Sequence, residues 1–410
     1  MREMKDSGIE WIADIPEHWS VSKIGGLYSL RVTKVSDRDY PPLSVTNKGI
    51  LPQLETAAKT NAHDDRKLVC KGDFAINSRS DRRGSCGISS YTGSVSLINT
   101  ILRPMTEMHP QYYDWLFHTI QFGDEFYKWG HGIVDDLWTT GWQDMKKISI
   151  PTPPITEQAV IADFLDEQCA EIDTLVTDIQ SQIEALEEYK RSVITEAVTK
   201  GLDPDVEMRN SGVQWIGEIP THWTLIRIGS LYGLRTQKVS DIDYPPLSVT
   251  KMGVLPQLDT VAKTNAHDDR KLIVKGDFVI NSRSDRRGSC GISDYTGSVS
   301  LINTVLFPIT EMNPRYYNWY FHTVGFADEF YRWGHGIVDD LWTTGWQDMK
   351  NILISVPPLD EQQRIADYLD SKCAEIDNII TEKKQQIETI EEYKKSLIFE
   401  YVTGKKEVQA

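Results

Sequence analysis

The chain has 410 residues, more than a single hydrophobic core usually organises, so several domains are expected. Hydrophobic residues make up 40% of it and charged residues 25%, which is the balance of a folded protein rather than a disordered one. No apolar run approaches the roughly 18 residues that cross a bilayer, and the first residues lack the apolar core of a signal peptide. These features predict a cytoplasmic protein.

The formal net charge of -16 argues at first against a nucleic-acid partner, because phosphate groups are normally bound by basic surfaces. The charge is unevenly distributed, however. Residues 22–150 hold 16 Lys and Arg against 14 Asp and Glu, whereas residues 157–200 hold 3 against 11. Much of the excess acid therefore lies in one segment, and the region before it remains compatible with DNA.

The second half of the chain repeats the first at a constant offset of 204 residues without a gap, as the copies GIEWIADIPEHW (8–19) and GVQWIGEIPTHW (212–223) illustrate. YPPLSVT, TNAHDDRKL, INSRSDRRGSCGIS and WGHGIVDDLWTTGWQDMK recur in the same order. A repeat of this length indicates duplication of whole domains rather than a solenoid.

Each copy begins with about 150 residues of mixed character. Short β-type runs such as DFAINSRS and SVSLINTILRP are punctuated by Gly and Pro. Residues 112–129 have apolar side chains three and four apart, which predicts a helix. The fold class is therefore α/β or α+β.

A long helix is predicted after Pro153-Pro154, running to about Thr199 before GLDPD. Its apolar residues follow a heptad, and the second copy repeats the pattern with Lys383 as one polar intruder. The heptad rows are Cys169, Val176 and Ile183, and Leu165, Ile172, Ile179, Leu186 and Val193; in the second copy they are Cys373, Ile380 and Ile387, and Leu369, Ile376, Ile390 and Leu397. We expect the two helices to pair antiparallel within the chain; a homodimeric coiled coil or a plain domain core is the alternative.

The predicted domains are two similar globular domains, each followed by a long helix, in a pseudo-twofold arrangement. Their boundaries are 1–154, 155–200, 201–357 and 358–410. The five cysteines include no C-x-x-C pair, so we expect free thiols and no cysteine metal site.

The strongest functional signal is the segment Asn77–Ser85, which recurs unchanged at 281–289. Arginine can bind guanine O6 and N7 bidentately, while serine and backbone N–H groups can hold phosphates. The predicted DNA-binding residues are Arg79, Ser80, Arg82, Arg83 and Ser85, with Arg283, Ser284, Arg286, Arg287 and Ser289. The alternative is a solvated loop braced by Asp81.

Weaker DNA-binding candidates are Lys34, Asn47, Lys48 and Lys59, matched by Lys238, Lys251 and Lys263. Trp129, Trp138 and Trp142 could stack on bases, although core packing is the more usual role. His131 lies between two glycines and indicates a tight turn. His63-Asp64-Asp65 could hold a metal, but adjacent residues rarely converge on one ion, so no metal site is predicted.

Catalytic motifs are missing from the sequence. An adenine methyltransferase would need an Asn/Asp-Pro-Pro-aromatic loop, and residues 39–43 only superficially resemble one because Tyr40 separates the acid from the prolines. No Walker A loop for ATP is present either. We expect a non-catalytic chain.

The chain resembles the specificity subunits of type I restriction-modification enzymes along nearly its whole length. The resemblance rests on PPITEQAVIADFLDEQCAEID (153–173), PPLDEQQRIADYLDSKCAEID (357–377) and the repeated SGIEWIADIPEHW motif. It implies two target-recognition domains that each read half of a split DNA target, separated by two antiparallel helices. It also implies two methyltransferase subunits and motor-nuclease subunits as partners, which would carry the S-adenosylmethionine, ATP and magnesium.

One feature departs from the family, because its members usually carry two dissimilar recognition domains and these are close copies. Identical readers related by a dyad predict an interrupted inverted repeat as the target. Two alternatives are a helical scaffold whose duplicated domains bind protein rather than DNA, and an enzyme that acts alone.

Overall fold

The computed structural model describes residues 2–54, 63–132, 138–258, 269–336 and 342–409. The chain divides into two units, Met1–Ile179 with Lys384–Ala410, and Gln180–Lys383. Both units combine sheets with helices, which confirms the mixed fold class. Each unit holds one globular copy and a part of each long helix, and the predicted boundaries at 154, 200 and 357 remain predictions.

The first copy is built from short strands and helices. Its strands are β1 (Met4–Asp6), β2 (Asp14–Pro16), β3 (Ser20–Lys23), β4 (Tyr28–Leu30), β5 (Lys34–Val35), β6 (Leu43–Thr46), β7 (Gly49–Pro52), β8 (Arg66–Val69), β9 (Phe74–Asn77), β10 (Cys86–Ile88), β11 (Gly93–Val95), β12 (Asn99–Pro104) and β13 (Ser149–Thr152). Its helices are α1 (Ile24–Leu27), α2 (Pro110–Phe117), α3 (Ile120–Lys128) and α4 (Trp142–Met145).

The paired strands of this unit run antiparallel, and β9 and β12 are the inner strands of its largest sheet. The four-stranded sheet has the order β10-β9-β12-β4, and a three-stranded sheet has the order β11-β8-β5. Strands β6 and β7 form a hairpin, while β13 pairs with β3. The ring of Phe117 on α2 packs on Phe74 of β9 and on Phe122 of α3, and all three side chains are buried in the core of this unit.

The second unit repeats this topology. Its strands are β14 (Met208–Asn210), β15 (Glu218–Pro220), β16 (Thr224–Arg227), β17 (Tyr232–Leu234), β18 (Lys238–Val239), β19 (Leu247–Thr250), β20 (Gly253–Pro256), β21 (Arg270–Ile273), β22 (Phe278–Asn281), β23 (Cys290–Ile292), β24 (Gly297–Val299), β25 (Asn303–Pro308) and β26 (Leu353–Val356). Its short helices are α6 (Pro314–Phe321), α7 (Val324–Arg332) and α8 (Trp346–Met349). The long helices are α5 (Ile155–Lys200) and α9 (Leu359–Val402).

Within each unit the segments of α5 and α9 run antiparallel. In the first unit Phe164 packs on Tyr401, and further along α5 the carboxylate of Asp173 lies 2.6 Å from the Nζ of Lys394. In the second unit Lys190 contacts Asp377 at 2.7 Å. The polar intruder Lys383 donates to the Oε1 of Gln182 at 2.6 Å, and this pair is exposed.

The Glu-Gln pair that opens each long helix fastens the helix to the globular copy. The Oε1 of Gln158 accepts from the backbone N–H of His109 at 2.9 Å, and the carboxylate of Glu157 accepts from the indole of Trp19 at 3.0 Å. Gln362 and Glu361 repeat these bonds with Asn313 and Trp223. The motif therefore has a structural role, because it links the helix start to residues far away in sequence.

No helix within the described ranges is long and apolar enough to cross a membrane.

Candidate nucleic-acid interface

The segment Arg79–Ser85, which we call the arginine loop, connects β9 to β10. These two strands pair antiparallel, so the loop leaves the sheet and returns to it within a few residues. Ser80–Arg82 form one 3-10 turn. Gly84 has a φ of +72°, a conformation that favours glycine and lets the chain reverse towards β10.

Hydrogen bonds from backbone N–H groups hold the base of the arginine loop. The side-chain oxygen of the buried Asn77 accepts from the N–H of Arg79 at 3.0 Å. The N–H of Ser80 donates to the carbonyl of Trp138, and the N–H of Thr140 donates to the carbonyl of Ser78. The loop is thus fixed between the sheet and residues 138–140, which reduces the conformational entropy that a ligand would otherwise have to remove.

Two guanidinium groups lie at the exposed side of the loop. The Arg82 side chain is 68% exposed and its nearest acid, Asp81, is 3.8 Å away. The Arg83 side chain is 60% exposed, lies 2.7 Å from a carboxylate oxygen of Asp124 and covers the ring of Tyr127 at 5.3 Å. Arg82 is therefore weakly held and Arg83 is oriented by two partners.

The remaining residues of the loop differ in exposure. Arg79 and Ser80 are half-buried, and Ser85 is buried. The backbone of Ser85 completes the loop, because its N–H donates to Arg82 and its carbonyl accepts from Asn77. A direct contact of the Ser85 hydroxyl with DNA would require the loop to open, and the same holds for the buried Ser289.

The second unit reproduces the loop at 283–289. Ser284–Arg286 form the 3-10 turn, Arg287 contacts Asp328 at 2.7 Å, and its guanidinium lies 5.5 Å from the ring of Tyr331. Arg283 lies 3.1 Å from Asp285. A pocket of about 850 Å³ adjoins this loop and is lined in part by Arg287, Arg332 and Trp342. Asp285 and Asp328 also line this pocket, so its two arginines face two carboxylates.

The hairpin turn between β6 and β7 lies against β10, the strand that follows the arginine loop. A Cβ added to Gly87, two residues after the loop, would lie 2.9 Å from the Cα of Gly49. The exposed Asn47 and Lys48 form this turn, so the structure brings two of the weaker candidates towards the arginines. The equivalent glycines, Gly291 and Gly253, approach at the same distance.

The other weak candidates have different surroundings. Lys34 pairs with Asp65 at 2.6 Å, and Lys238 pairs with Asp269 at 2.5 Å. Lys251 is exposed in the second hairpin turn. Lys59 and Lys263 lie outside the described residues.

The tryptophans contact the protein core. Trp129 and Trp142 pack against it, and the indole of Trp138 donates to the carbonyl of Tyr127 at 2.8 Å. The Nε2 of His131 lies 3.4 Å from Asp144. These contacts agree with the structural interpretation of the aromatic residues.

The side chains of the His63-Asp64-Asp65 segment do not converge on one point, because His63 and Asp65 contact different residues. His63 faces Asp37 at 3.0 Å, whereas Asp65 pairs with Lys34. Among the described residues no group of three His, Cys, Asp or Glu side chains could hold a metal ion. Of the second copy of this segment, His267 and Asp268 lie outside the described residues.

Sequence reasoning missed the partners that orient Arg83 and Arg287. Asp124 and Tyr127 lie on α3, about forty residues from the arginine they contact. Burial raises the pKa of Tyr127, so its hydroxyl stays protonated and can donate to the carbonyl of Asn77 at 3.2 Å. The available sequence signal was the recurrence of Asp-Glu-Phe-Tyr in both copies.

The chain therefore belongs to a class of proteins that contain two sheet domains, each bearing an arginine loop and each followed by a long helix. Residues 222–389 match the model of the type I restriction modification DNA specificity domain. The gapless repeat at 204 residues extends this similarity to the first copy.

Relatives and solved structures agree with this match. The chain is 24% identical to the type I restriction enzyme MjaVIII specificity subunit of Methanocaldococcus jannaschii, over 95% of this chain and 93% of the relative. A protein described as the MjaX specificity subunit of the same organism is 27% identical over 64% of this chain, and the match spans only 60% of that relative's length.

Two solved structures have the same fold. A chain from a study of complex assembly and conformational transition of the type I R-M system has a TM-score of 0.71 at 14% identity, covering 95% of this chain and 99% of that one. The HsdS subunit from Thermoanaerobacter tengcongensis has a TM-score of 0.53 at 15% identity, covering 95% and 98%. Residues 222–389 thus match the type I restriction modification DNA specificity domain, and the chain is similar to a type I specificity subunit along nearly its whole length.

Proposed function

We propose that this specificity subunit reads a bipartite DNA target with its two arginine loops and contributes no catalytic group of its own. The observation that carries the proposal is the presence of the same braced loop in both units, with Arg82 and Arg286 each 68% exposed. A fixed backbone with exposed guanidinium groups is suited to base edges and phosphates. The comparisons give no support to a helical scaffold that binds protein instead of DNA.

The catalytic steps would belong to partner subunits. We propose that two methyltransferase subunits and the motor-nuclease subunits assemble with this chain and bring S-adenosylmethionine, ATP and magnesium. The missing methyltransferase and Walker A motifs support this division. The antiparallel segments of α5 and α9 carry exposed apolar side chains, among them Leu175, Tyr189, Ile379 and Tyr393, which are suited to contact another protein.

The proposed target is an interrupted inverted repeat. The arginine loops are identical in sequence, so they should bind the same bases. The helix segments that follow the loops run antiparallel within each unit, which favours half-sites read in opposite directions. Two unrelated half-sites, or a direct repeat, would contradict this proposal.

Methylome sequencing of host cells with the gene present and deleted tests the function. A bipartite methylated motif should disappear on deletion and return with the plasmid-borne gene. In vitro, the full-length chain with its methyltransferase subunits should bind that motif with an affinity that falls steeply with salt. A protein-binding scaffold would bind no DNA sequence preferentially.

A second experiment tests the absence of catalysis. The purified full-length chain should neither methylate nor cleave the motif with S-adenosylmethionine, ATP and magnesium supplied. Activity should appear when the partner subunits are added. Methyl transfer that follows this chain through successive purification steps would contradict the proposal.

A further inference from the structure

The hairpin turn beside each arginine loop differs between the two copies, although the loops themselves are identical. The first turn carries Asn47 and Lys48, and the second carries Lys251 and Met252. All four residues are exposed, and the Met252 side chain is 86% exposed. Single exposed apolar residues are common on protein surfaces, so Met252 matters here only because it stands where the first copy has Lys48.

The turns lie close enough to the loops to reach the same half-site. The close approach of Gly49 to Gly87 places the hairpin against the strand that continues the loop. Three residues of chain, at most about 11 Å, separate Gly87 from Gly84 of the loop. Base pairs are spaced by about 3.4 Å, so this reach corresponds to only a few base pairs.

The chemistry of the two turns differs in a way that DNA can distinguish. Asparagine binds adenine bidentately through N6 and N7, and lysine donates to guanine O6 and N7. Methionine has no strong hydrogen-bonding group, but its apolar side chain can contact the methyl group of thymine in the same manner as other apolar side chains. The two turns therefore present different recognition groups beside the same arginines.

We propose that the turn residues 47–48 and 251–252 are specificity-determining residues that make the two half-sites differ at one or two base positions next to those read by the arginine loops. This inference rests on the proposed function. Each arginine loop contacts the base positions that are the same in both half-sites, and each hairpin turn contacts the positions that differ. The target is then an inverted repeat with a local departure from symmetry.

Exchange of the turns tests the proposal. Asn47→Lys with Lys48→Met gives the first copy the turn of the second, and it leaves the net charge unchanged. The non-specific, salt-dependent binding should therefore be preserved. Base preference at the affected positions of one half-site should change by about tenfold, and the two half-sites should become alike.

The measurements are the methylated motif in cells and competitive binding by the assembled methyltransferase to duplexes randomised in one half-site. The reciprocal exchange, Lys251→Asn with Met252→Lys, should alter the other half-site. Lys23→Arg is the matched control, because it exchanges an exposed β3 residue for its second-copy counterpart away from the loops. Thermal unfolding confirms that each variant is folded.

The outcomes separate this inference from the proposed function. Half-sites that differ in the wild type and converge in the exchange variant support the inference. Identical wild-type half-sites, or unequal ones that neither exchange alters, overturn it while leaving the proposed function intact. Wild-type complex that binds no sequence preferentially overturns the proposed function as well.

Discussion

Replacing Arg82 and Arg286 together by alanine should weaken DNA binding without unfolding either unit. Both guanidinium groups are 68% exposed, and their acidic neighbours Asp81 and Asp285 lie 3.8 and 3.7 Å away. Exposed ion pairs of this kind contribute zero to about 1 kcal/mol to stability. The loop is fixed mainly by backbone bonds that alanine retains, so the loss of stability should stay below about 1 kcal/mol at each site.

The expected effect on binding follows from counterion release. Each lost phosphate contact reduces the slope of log K against log salt by about 0.9, so the double variant should have a slope about 1.8 smaller. Over a fourfold increase in salt, from about 50 to about 200 mM, the wild type should then lose about tenfold more affinity than the variant. Each single variant should show about half of the change in slope.

The assay is fluorescence anisotropy of a labelled target duplex with the whole chain and the proposed methyltransferase subunits. Lys5→Ala is the control, because it removes an exposed cation from β1 outside both arginine loops. An unchanged slope in the double variant would show that the loops do not bind phosphates. If Lys5→Ala changed the slope as much as either single arginine variant, the effect would reflect net charge alone.

Three other substitutions test the base contacts, the packing and the titration of particular residues. Arg79→Ala and Arg283→Ala should each weaken binding of the target by about five- to hundredfold, relaxing specificity at one half-site in competition assays; unchanged binding in both would refute the base contact. Gly404→Ala should destabilise the chain by about 2–5 kcal/mol in denaturant unfolding, because its φ is +73° and Pro16 would lie 2.4 Å from the new Cβ. Gly8→Ala, with a φ of +67° and open space, should cost only about 1–2 kcal/mol, and equal losses would contradict the packing argument. Burial raises the pKa of Asp114, although His118 and the N–H of Ile88 partly oppose it, so its folded state binds a proton more tightly than its unfolded state. Protonated Asp114 therefore contributes to the free energy of unfolding below its unfolded pKa, and this contribution is lost as the pH rises through the folded pKa. Asp114→Asn, which introduces the residue found at Asn318 in the second copy, should remove this pH-dependent loss. Parallel plots of unfolding free energy against pH for the two proteins, between pH 4 and 7, would contradict this.

The sequence by itself determined the features that depend on local pattern or on comparison of one half of the chain with the other. The repeat at 204 residues predicted two copies of one topology, and the proline pair with the heptad predicted the helix that spans Ile155–Lys200. The arginine loop was recognised because three arginines and two serines fall within its seven positions. Helix periodicity and turn chemistry are properties of neighbouring residues, so a single sequence is enough to read them.

Only the tertiary structure decided which candidate residues lie on one surface and which are buried or paired with an acidic residue. It placed Asp124 and Tyr127 against Arg83, paired Lys34 with Asp65, and buried Ser85. It also brought Gly49 to Gly87, so that the hairpin turn lies against the strand that follows the arginine loop. These contacts join residues many positions apart, and their geometry is set by strand register and by the packing of α3 on the sheet. A one-residue change of register would turn every side chain of a strand to the opposite face, which is why composition and spacing alone could not have predicted these neighbours.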